Sequence, residues 1–322
     1  MDGTGCISKG CFTAMTIPFV CQICSGQNYS TLTTDIRDWE FGVEGVYEYR
    51  RCQNCNQIQI HPFPTIEQLK EAYPESYSSH VASSDSRGPL YGVLYRAANW
   101  LLRRQLRRYI RPGAVVLDVG CGNGEFLTRI RSLGAATLEG VDFNDRAAKL
   151  AEEKGIRVFR GLFLDFPENE GRYDAIFMNN YIEHVLYPHK ELGKAMKLLK
   201  EGGVLFGEVP NFDSIDRRVF GRYWGSNHVP RHTFQYDRRQ LGKLLAGAGF
   251  RSSDFHYELN TGTLAASFQN VLQRNAPSLR NNPRLRYGRM KGFELLLLAS
   301  IPLNLIPWII QRPGVMTFIA RR

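Results

Sequence analysis

The sequence has little that would indicate a fibrous, repeat or disordered protein, because it contains no internal repeat and no low-complexity tract. It lacks a convincing signal peptide, since Lys9 and Pro18 interrupt the short apolar pieces near the N-terminus. A membrane-spanning helix is not expected either, because Pro302 and Pro307 break the apolar run 293–310. With 43% hydrophobic residues among 322, these absences predict a folded cytoplasmic protein with one large and one small domain.

Acidic residues are fewer than basic ones: the sequence has 31 Asp and Glu and 41 Lys and Arg, which gives a formal net charge of +10. Such a surplus predicts an anionic partner, which leaves nucleic acid, a phosphorylated small molecule and an acidic membrane surface open. One basic cluster lies within residues 91–111 and another within 274–291, directly before the apolar run. Residues 280–310 then have two interpretations: an element that lies peripherally at the membrane, or a lid helix packed over a ligand pocket.

Cysteine is scarce, and the odd number of seven argues against a disulfide framework and for a reducing compartment. Four of the cysteines form two C-x-x-C pairs, Cys21 with Cys24 and Cys52 with Cys55. Two such pairs are typical of a tetrahedral zinc site with thiolate bonds of about 2.3 Å. Because sulfur fills all four positions, we expect a structural zinc; a chance or redox pairing is the alternative.

Hydrophobic periodicity predicts an amphipathic helix over residues 91–111 and then, after Pro112, alternating strands and helices. This alternation predicts an α/β fold with a Rossmann-like, doubly wound and mainly parallel sheet. The expected strands are 114–119, 137–142, 157–160, 173–178, 203–209 and 251–258, and the expected helices are 124–133, 144–154, 189–200 and 238–248. The final VMTFIARR is expected to add a short strand to the sheet edge.

The predicted organisation has a disordered N-terminus, a small module of the zinc-ribbon type, a helical linker and the Rossmann-like domain. Their expected bounds are 1–17, 18–64, 65–111 and 112–322. A helical insertion, 261–313, is expected before the last strand, basic in its first half and apolar in its second.

A glycine-rich turn joins the first of these strands to a helix and contains Gly120, Gly122 and Gly124. Glycines let the backbone pass close to a ligand, and free N–H groups at the helix start attract polar or negative groups. Asp118, ahead of the turn, would repel a pyrophosphate but suits the ammonium group of a methionine moiety. Asp142, at the end of the next strand, is placed to accept hydrogen bonds from ribose hydroxyls, and Phe143 to pack on adenine. A nucleotide-binding turn of another kind is the alternative.

Five segments stand in the order and spacing of one family: VLDVGCGNG, GVDF, YDAIFMNNYIEHV, LLKEGGVLFGEVPN and LLAGAGF. On these segments the chain resembles the class I S-adenosylmethionine-dependent methyltransferases, over about residues 112–260. The resemblance implies these cofactor contacts: Asp118, Gly120, Gly122, Asp142 and, near the methionine end, Asn179. Where the family commonly has an acid that reaches the adenine amine, this chain has Leu162, so that nearby Asp165 or backbone groups would have to substitute.

The segments NNYIEHV and FGRYWGSNHVPRHTFQYD contain three histidines, and the first of them follows a strand directly, where open α/β folds bind ligands. The second segment resembles a loop of the small-molecule methyltransferases that include sugar and quinone-ring methylating enzymes. Methyl transfer to a hydroxyl needs a proton acceptor, and histidine titrates in a suitable range. We therefore expect His184 as general base, with His232 and then His228 behind it; structural roles for these histidines are the alternative.

These features predict a methyltransferase that acts, at oxygen or carbon, on a sugar or lipid-linked glycan intermediate. A zinc module ahead of the catalytic domain is similar to that of sugar C-methyltransferases. The basic clusters leave an RNA base methyltransferase as the alternative, although NNYIEHV is not the Pro-Pro-Tyr/Phe type of motif common in amino-methylating nucleic-acid enzymes. A non-catalytic scaffold is the third hypothesis, which the intact glycine loop and Asp142 disfavour.

Overall fold

The computed structural model describes residues 17–73, 89–135, 137–275 and 293–322. The expected disordered N-terminus falls almost entirely outside these residues, as do the Ser-rich part of the linker and the basic residues from Arg280 to Lys291. The described strands are β1 (Tyr29–Ile36), β2 (Tyr47–Cys52), β3 (Ile58–His61), β4 (Val115–Val119), β5 (Thr137–Asp142), β6 (Arg157–Arg160), β7 (Tyr173–Asn179), β8 (Leu199–Pro210), β9 (Phe234–Gln235), β10 (Ser252–Tyr257) and β11 (Val315–Arg321). The described helices are α1 (Ile66–Glu71), α2 (Pro89–Leu106), α3 (Glu125–Ile130), α4 (Asp145–Glu153), α5 (Pro188–Leu198), α6 (Ile215–Phe220), α7 (Arg238–Gly247), α8 (Gly262–Asn275) and α9 (Phe293–Ile309).

Seven strands form the large sheet, in the order β10-β11-β8-β7-β4-β5-β6. The strands from β8 to β6 pair in parallel, whereas β11 runs antiparallel to both β8 and β10. The predicted Rossmann-like, mainly parallel α/β fold is therefore confirmed. The expectation that the last strand adds to the sheet edge is wrong, because β11 lies between β8 and β10. Its nearly continuous burial explains this position, since an inner strand needs apolar side chains on both faces.

Helices pack on both faces of the large sheet, and local side-chain bonds set where two of them begin. The Asn144 side chain accepts a hydrogen bond from the N–H of Ala147 and starts α4. Asp237 and Gln240 form a capping box that starts α7. These starts lie within one residue of the predicted ones, but α3 is shorter than predicted and passes into a 3-10 turn.

A second, four-stranded antiparallel sheet has the order β1-β2-β3-β9. Its last strand comes from the large domain, so the N-terminal module and the large domain share one sheet. Gln57 and Gln240 each donate a side-chain hydrogen bond across this junction, to the carbonyl of Gln240 (3.1 Å) and of Asn56 (2.7 Å). The junction therefore fixes the loop that leads into β9 against the N-terminal module.

The insertion before β11 contains α8 and α9, which pack on each other. Among the described residues, no helix is both long enough and apolar enough to cross a membrane. The side chains of Ser300 and Asn304 on α9 are buried, and Asn304 Nδ2 donates to the Ser300 carbonyl at 3.0 Å. Large apolar side chains from the same region are exposed: Ile301, Leu303, Leu305, Ile306, Trp308, Ile309 and Ile310.

Candidate active site

One half of the site is built at the carboxyl ends of β4 and β5. Gly120 has a φ of +76°, and a Cβ there would lie 2.8 Å from the ring of Tyr181, so the turn requires glycine. The Asp142 carboxylate accepts hydrogen bonds from the backbone N–H groups of Gly122 (2.8 Å) and Asn144 (2.8 Å). Burial outweighs these bonds and raises the pKa of Asp142 above its usual value. Each carboxylate oxygen keeps a second lone pair. The turn therefore fits a ligand whose hydroxyl groups donate hydrogen bonds to Asp142.

The predicted cofactor residues divide into two groups. Four of them line a cavity: Gly120, Asp142, Phe143 and Asn179. Asp118, Gly122 and Gly124 do not line it. Asp118 is buried, and desolvation together with neighbouring Asp142 raises its pKa well above the usual value. A Cβ on Gly124 would lie 2.5 Å from Ile156, so this glycine lets α3 pack closely on the region after α4.

The wall beyond β6, where the family's adenine acid was sought, is apolar. Leu162 lines the cavity there beside Phe163. Asp165, considered as a substitute for the acid, is exposed and does not line the cavity. The ring of Phe143 instead meets an aromatic neighbour, Tyr73, edge-on at a centroid distance of 5.5 Å. The structure thus gives no support to Asp165 as the adenine contact.

The three predicted histidines meet at another part of the same cavity, and all of them line it. The ring of His232 lies 4.4 Å from that of His184 and 4.7 Å from that of His228, between centroids. His184 Nδ1 lies 2.8 Å from the Tyr73 hydroxyl oxygen. His232 Nδ1 donates to the Ser226 carbonyl at 2.9 Å. The structure therefore brings the three candidate histidines together at the cavity, and their catalytic roles stay a prediction.

Burial makes two of these histidines weak bases. Desolvation, followed by the charges of His228 and Arg231, lowers the pKa of His184 to about 3. Desolvation, followed by the neighbouring histidines, lowers the pKa of His232 well below its usual value. Both rings are neutral at physiological pH, but such weak bases remove a hydroxyl proton poorly. The side chain of His228 is 24% exposed, and its Nδ1 lies 3.7 Å from a carboxylate oxygen of Glu40.

Buried charged groups surround this cluster, and no sequence pattern indicated that they are buried. Arg231 is 0% exposed, and its guanidinium donates to Asp38 (2.9 and 3.2 Å) and to Glu40 (3.0 Å). Both acids belong to the N-terminal module, and no spacing in the sequence links them to the histidine loop. Glu183 is 1% exposed, and burial, reinforced by Glu208, raises its pKa to about 8.

The cavity has a volume of about 980 Å³. Ligand sites of small molecules commonly measure about 300–1,000 Å³, so this one has room for a cofactor together with an acceptor. One wall comes from residues 63–73, which include α1, and another contribution comes from Gln22 and Glu40 of the N-terminal module. Tyr73 in this wall contacts both Phe143 and His184. No recognisable motif in the sequence around Tyr73 predicted these contacts. The N-terminal module and the large sheet therefore each form part of the cavity wall.

The two C-x-x-C pairs converge in the N-terminal module. The sulfur of Cys21 lies 3.5 Å from that of Cys55, and the sulfur of Cys24 lies 3.6 Å from that of Cys52. These distances exclude disulfides, whose S–S bond is about 2.05 Å. Four thiolates around zinc at about 2.3 Å lie about 3.8 Å apart, so the cluster fits a tetrahedral ion. All four sulfurs lie within 4.8 Å of one another.

Comparison with known proteins identifies a methyltransferase domain in this chain. A family model of a methyltransferase domain matches residues 93–252. The chain is similar to the ubiquinone biosynthesis O-methyltransferase of Chromobacterium violaceum, with 28% identity over 179 residues that cover 47% of this chain and 75% of that protein. It is also similar to the tabtoxin biosynthesis enzyme of Pseudomonas amygdali pv. tabaci, with 25% identity over 57% of this chain and 72% of that protein. A solved SAM-dependent methyltransferase from Archaeoglobus fulgidus superposes with a TM-score of 0.48 at 20% identity, over 72% of this chain and 98% of that one.

The family match covers β4 and β5, whose turns hold Gly120 and Asp142 in the geometry described above. Residues 93–252 therefore form a methyltransferase domain, and the prediction of an S-adenosylmethionine-dependent methyltransferase is confirmed. The cysteine pairs precede the matched segment, as do the N-terminal residues that line the cavity, Gln22, Glu40 and those within 63–73.

Proposed function

We propose that this chain methylates a hydroxyl group of a small-molecule acceptor, a sugar or lipid-linked intermediate, with S-adenosylmethionine as methyl donor. The observation that carries the proposal is that one cavity joins the Asp142 and Phe143 region to the three histidines. A donor and an acceptor that share this cavity can be aligned for in-line displacement, which is the main task of such an enzyme. The similarity to O-methyltransferases favours oxygen over carbon as the methylated atom.

The acceptor proton is the chemical problem that the histidines would solve. When bound, the cofactor supplies a sulfonium methyl group, so that a C–O bond forms as the C–S bond breaks and the sulfur leaves as a neutral thioether. We assign the role of general base to His228, because it lines the cavity and is more exposed than the weakly basic His184 and His232. Glu40 beside it would orient the ring and stabilise the imidazolium that forms. This assignment replaces the sequence-based preference for His184.

A transfer assay with the full chain and methyl-labelled S-adenosylmethionine tests the proposal. Acceptor pools of phenols, sugar nucleotides, lipid extract and RNA should give label in a small molecule, as a base-stable ether. His228→Asn should reduce kcat by about 10²-fold or more, as for loss of a general base, with cofactor affinity unchanged. His256→Asn, at an exposed position on β10, is the matched control and should leave kcat unchanged. Label that enters RNA alone would overturn the proposal.

We propose that the four clustered cysteines bind one structural zinc ion. The supporting observations are the sulfur spacing and the two turns that carry the pairs. In each turn a backbone N–H returns to the first cysteine carbonyl, from Ser25 to Cys21 (2.8 Å) and from Asn56 to Cys52 (3.0 Å). Burial raises the pKa of the Cys21 thiol to about 11 in the absence of a cation, and a bound zinc ion would offset that cost.

We further propose that α9 contacts the membrane surface and brings a lipid-linked acceptor to the cavity. The support is an inverted helix surface, with polar Ser300 and Asn304 buried and apolar side chains exposed. This distribution is typical of an element whose apolar face enters the headgroup region, and a buried lid would hide the same side chains. The sequence places Arg289 and Lys291 directly before α9, where they suit anionic headgroups. The neighbouring α8 begins beside the cavity, where Thr263 lines the wall.

A further inference from the structure

Glu183, His184 and His232 form a cluster to which the proposed methyl transfer assigns no chemical step. One carboxylate oxygen and one ring nitrogen from each histidine lie within 4.8 Å of one another. Glu183 and His184 belong to the 3-10 turn Ile182–His184 after β7, and His232 lies two residues before the start of β9. The two histidines line the cavity, whereas Glu183 lies behind them.

Glu183 is the unusual member of this cluster. It is almost fully buried, and neither carboxylate oxygen has a hydrogen-bond partner among the described residues. The neighbouring buried cation, Arg231, is bonded to Asp38 and Glu40 instead. Oε1 of Glu183 lies 4.0 Å from Nε2 of the neutral His184 ring. A buried carboxyl in this state is unfavourable, and a cation beside it would supply the missing partner.

The hydrogen bond of His232 leaves one ring nitrogen available for such a cation. A carbonyl can only accept, so His232 Nδ1 carries the hydrogen that bonds to Ser226, and His232 Nε2 keeps its lone pair. Metal-binding histidines in general donate a hydrogen bond from the ring nitrogen that does not bind the metal, and this bond orients the ring. For His184, Nδ1 bonds to Tyr73 and the Arg231 carbonyl is the further hydrogen-bonding neighbour of the ring. A metal at Nε2 would take the place of the contact with that carbonyl.

We propose that Glu183, His184 and His232 bind a divalent first-row transition metal ion at the acceptor end of the cavity. Two imidazoles and one carboxylate are a ligand set that such ions accept, and three ligands leave a coordination position open. Nitrogen and oxygen ligands around zinc lie about 3.4 Å apart, so binding would draw these ligand atoms, which lie within 4.8 Å of one another, closer by at most about 1.4 Å. The open position faces the cavity, because His184 and His232 form part of its wall.

The role of this ion rests on the proposed function, whereas its binding does not. An acceptor hydroxyl that coordinates the open position becomes more acidic, so that it gives up its proton more readily. His228, outside the ligand set, then receives the proton. The ion is not consumed, and no electron is transferred.

The test is a Co²⁺ titration of the full chain after its cysteine site has been loaded with zinc. The expected result is one further Co²⁺ per chain, with visible d–d bands of nitrogen and oxygen ligands and no sulfur charge-transfer band. Glu183→Gln and His232→Asn should each weaken Co²⁺ binding at least tenfold, and His256→Asn should not. Retained S-adenosylmethionine binding in each variant shows that the large sheet is intact.

Several outcomes would overturn the metal site. They are the absence of a second Co²⁺, binding that Glu183→Gln leaves unchanged, or a spectrum dominated by sulfur ligands. If Co²⁺ binds as expected but methyl transfer to small molecules is absent, the metal site stands and the proposed function fails. If transfer occurs in the presence of a chelator and no Co²⁺ binds, the proposed function stands and the metal site fails.

Discussion

Replacement of Arg231 by methionine should lower the free energy of unfolding by about 3–5 kcal/mol. Arg231 is fully buried and donates to Asp38, Glu40 and the carbonyl of Ala72, at distances between 2.9 and 3.2 Å. Methionine fills similar space but leaves the Asp38 carboxylate buried without its counter-charge. That carboxylate keeps the backbone N–H groups of residues 40, 41 and 43, which should place the loss towards the lower end of the range.

Urea denaturation followed by circular dichroism measures this loss directly. The matched control is Arg218→Met, because the Arg218 side chain is 51% exposed and pairs with half-exposed Asp213. An exposed pair of this kind contributes less than about 1 kcal/mol. If both variants lose the same small amount, the buried ion pair does not hold the N-terminal module to the histidine loop, and the reasoning is refuted.

Four further predictions follow from the same structure. Asp142→Ala should weaken S-adenosylmethionine binding by about 1.5–3 kcal/mol, as for charged hydrogen bonds, and unchanged affinity in calorimetry would contradict the ribose contact. Elemental analysis should find one zinc per chain in the cysteine site, which Cys52→Ser should release; metal-free protein after reducing purification would exclude it. Although burial opposes it, Arg231 holds the pKa of Asp38 below its usual value, so this carboxylate stabilises the fold above about pH 3.9. That stability should be lost as the pH falls through the lower folded-state pKa, and the urea midpoint of Arg231→Met should fall less steeply with acid. The protein should pellet with anionic vesicles at low salt and dissociate as salt screens its basic residues. Ile306→Asp on α9 should weaken pelleting, even though it leaves the basic residues unchanged.

The large sheet was predictable because its strands carry their own signal. β4, β7 and β8 are apolar runs between turn residues, and each lies within a few residues of its expected position. β1 and β9 gave no such signal. β1 is largely exposed and shows no clean alternation of buried and exposed residues. β9 has only two residues, and they form a strand because they pair with β3. Pairing of that kind depends on tertiary contacts and is not encoded in a local pattern.

The same distinction applies to the site. Asp142, Phe143 and His184 were found because they follow parallel strands, whose carboxyl ends meet at one edge. Glu40 and Tyr73 were missed because they reach the cavity from elsewhere in the chain, through the shared small sheet and the α1 wall. Gly124 shows the limit of a motif, since the spacing that predicts approach to a ligand also serves close helix packing.

The shared sheet also determines what loss of zinc should affect. Cys52 ends β2 and Cys55 lies in the turn that follows, and the N–H of Cys52 donates to the Gln57 carbonyl at 2.9 Å. β3 then pairs with β9, which begins two residues after His232, whereas none of the described strands of the N-terminal module belongs to the large sheet. Collapse of the zinc turn should therefore displace the acceptor histidines while the Asp142 side of the cavity persists. Cys52→Ser protein that binds S-adenosylmethionine normally but no longer transfers the methyl group would show this division, and full activity without zinc would contradict it.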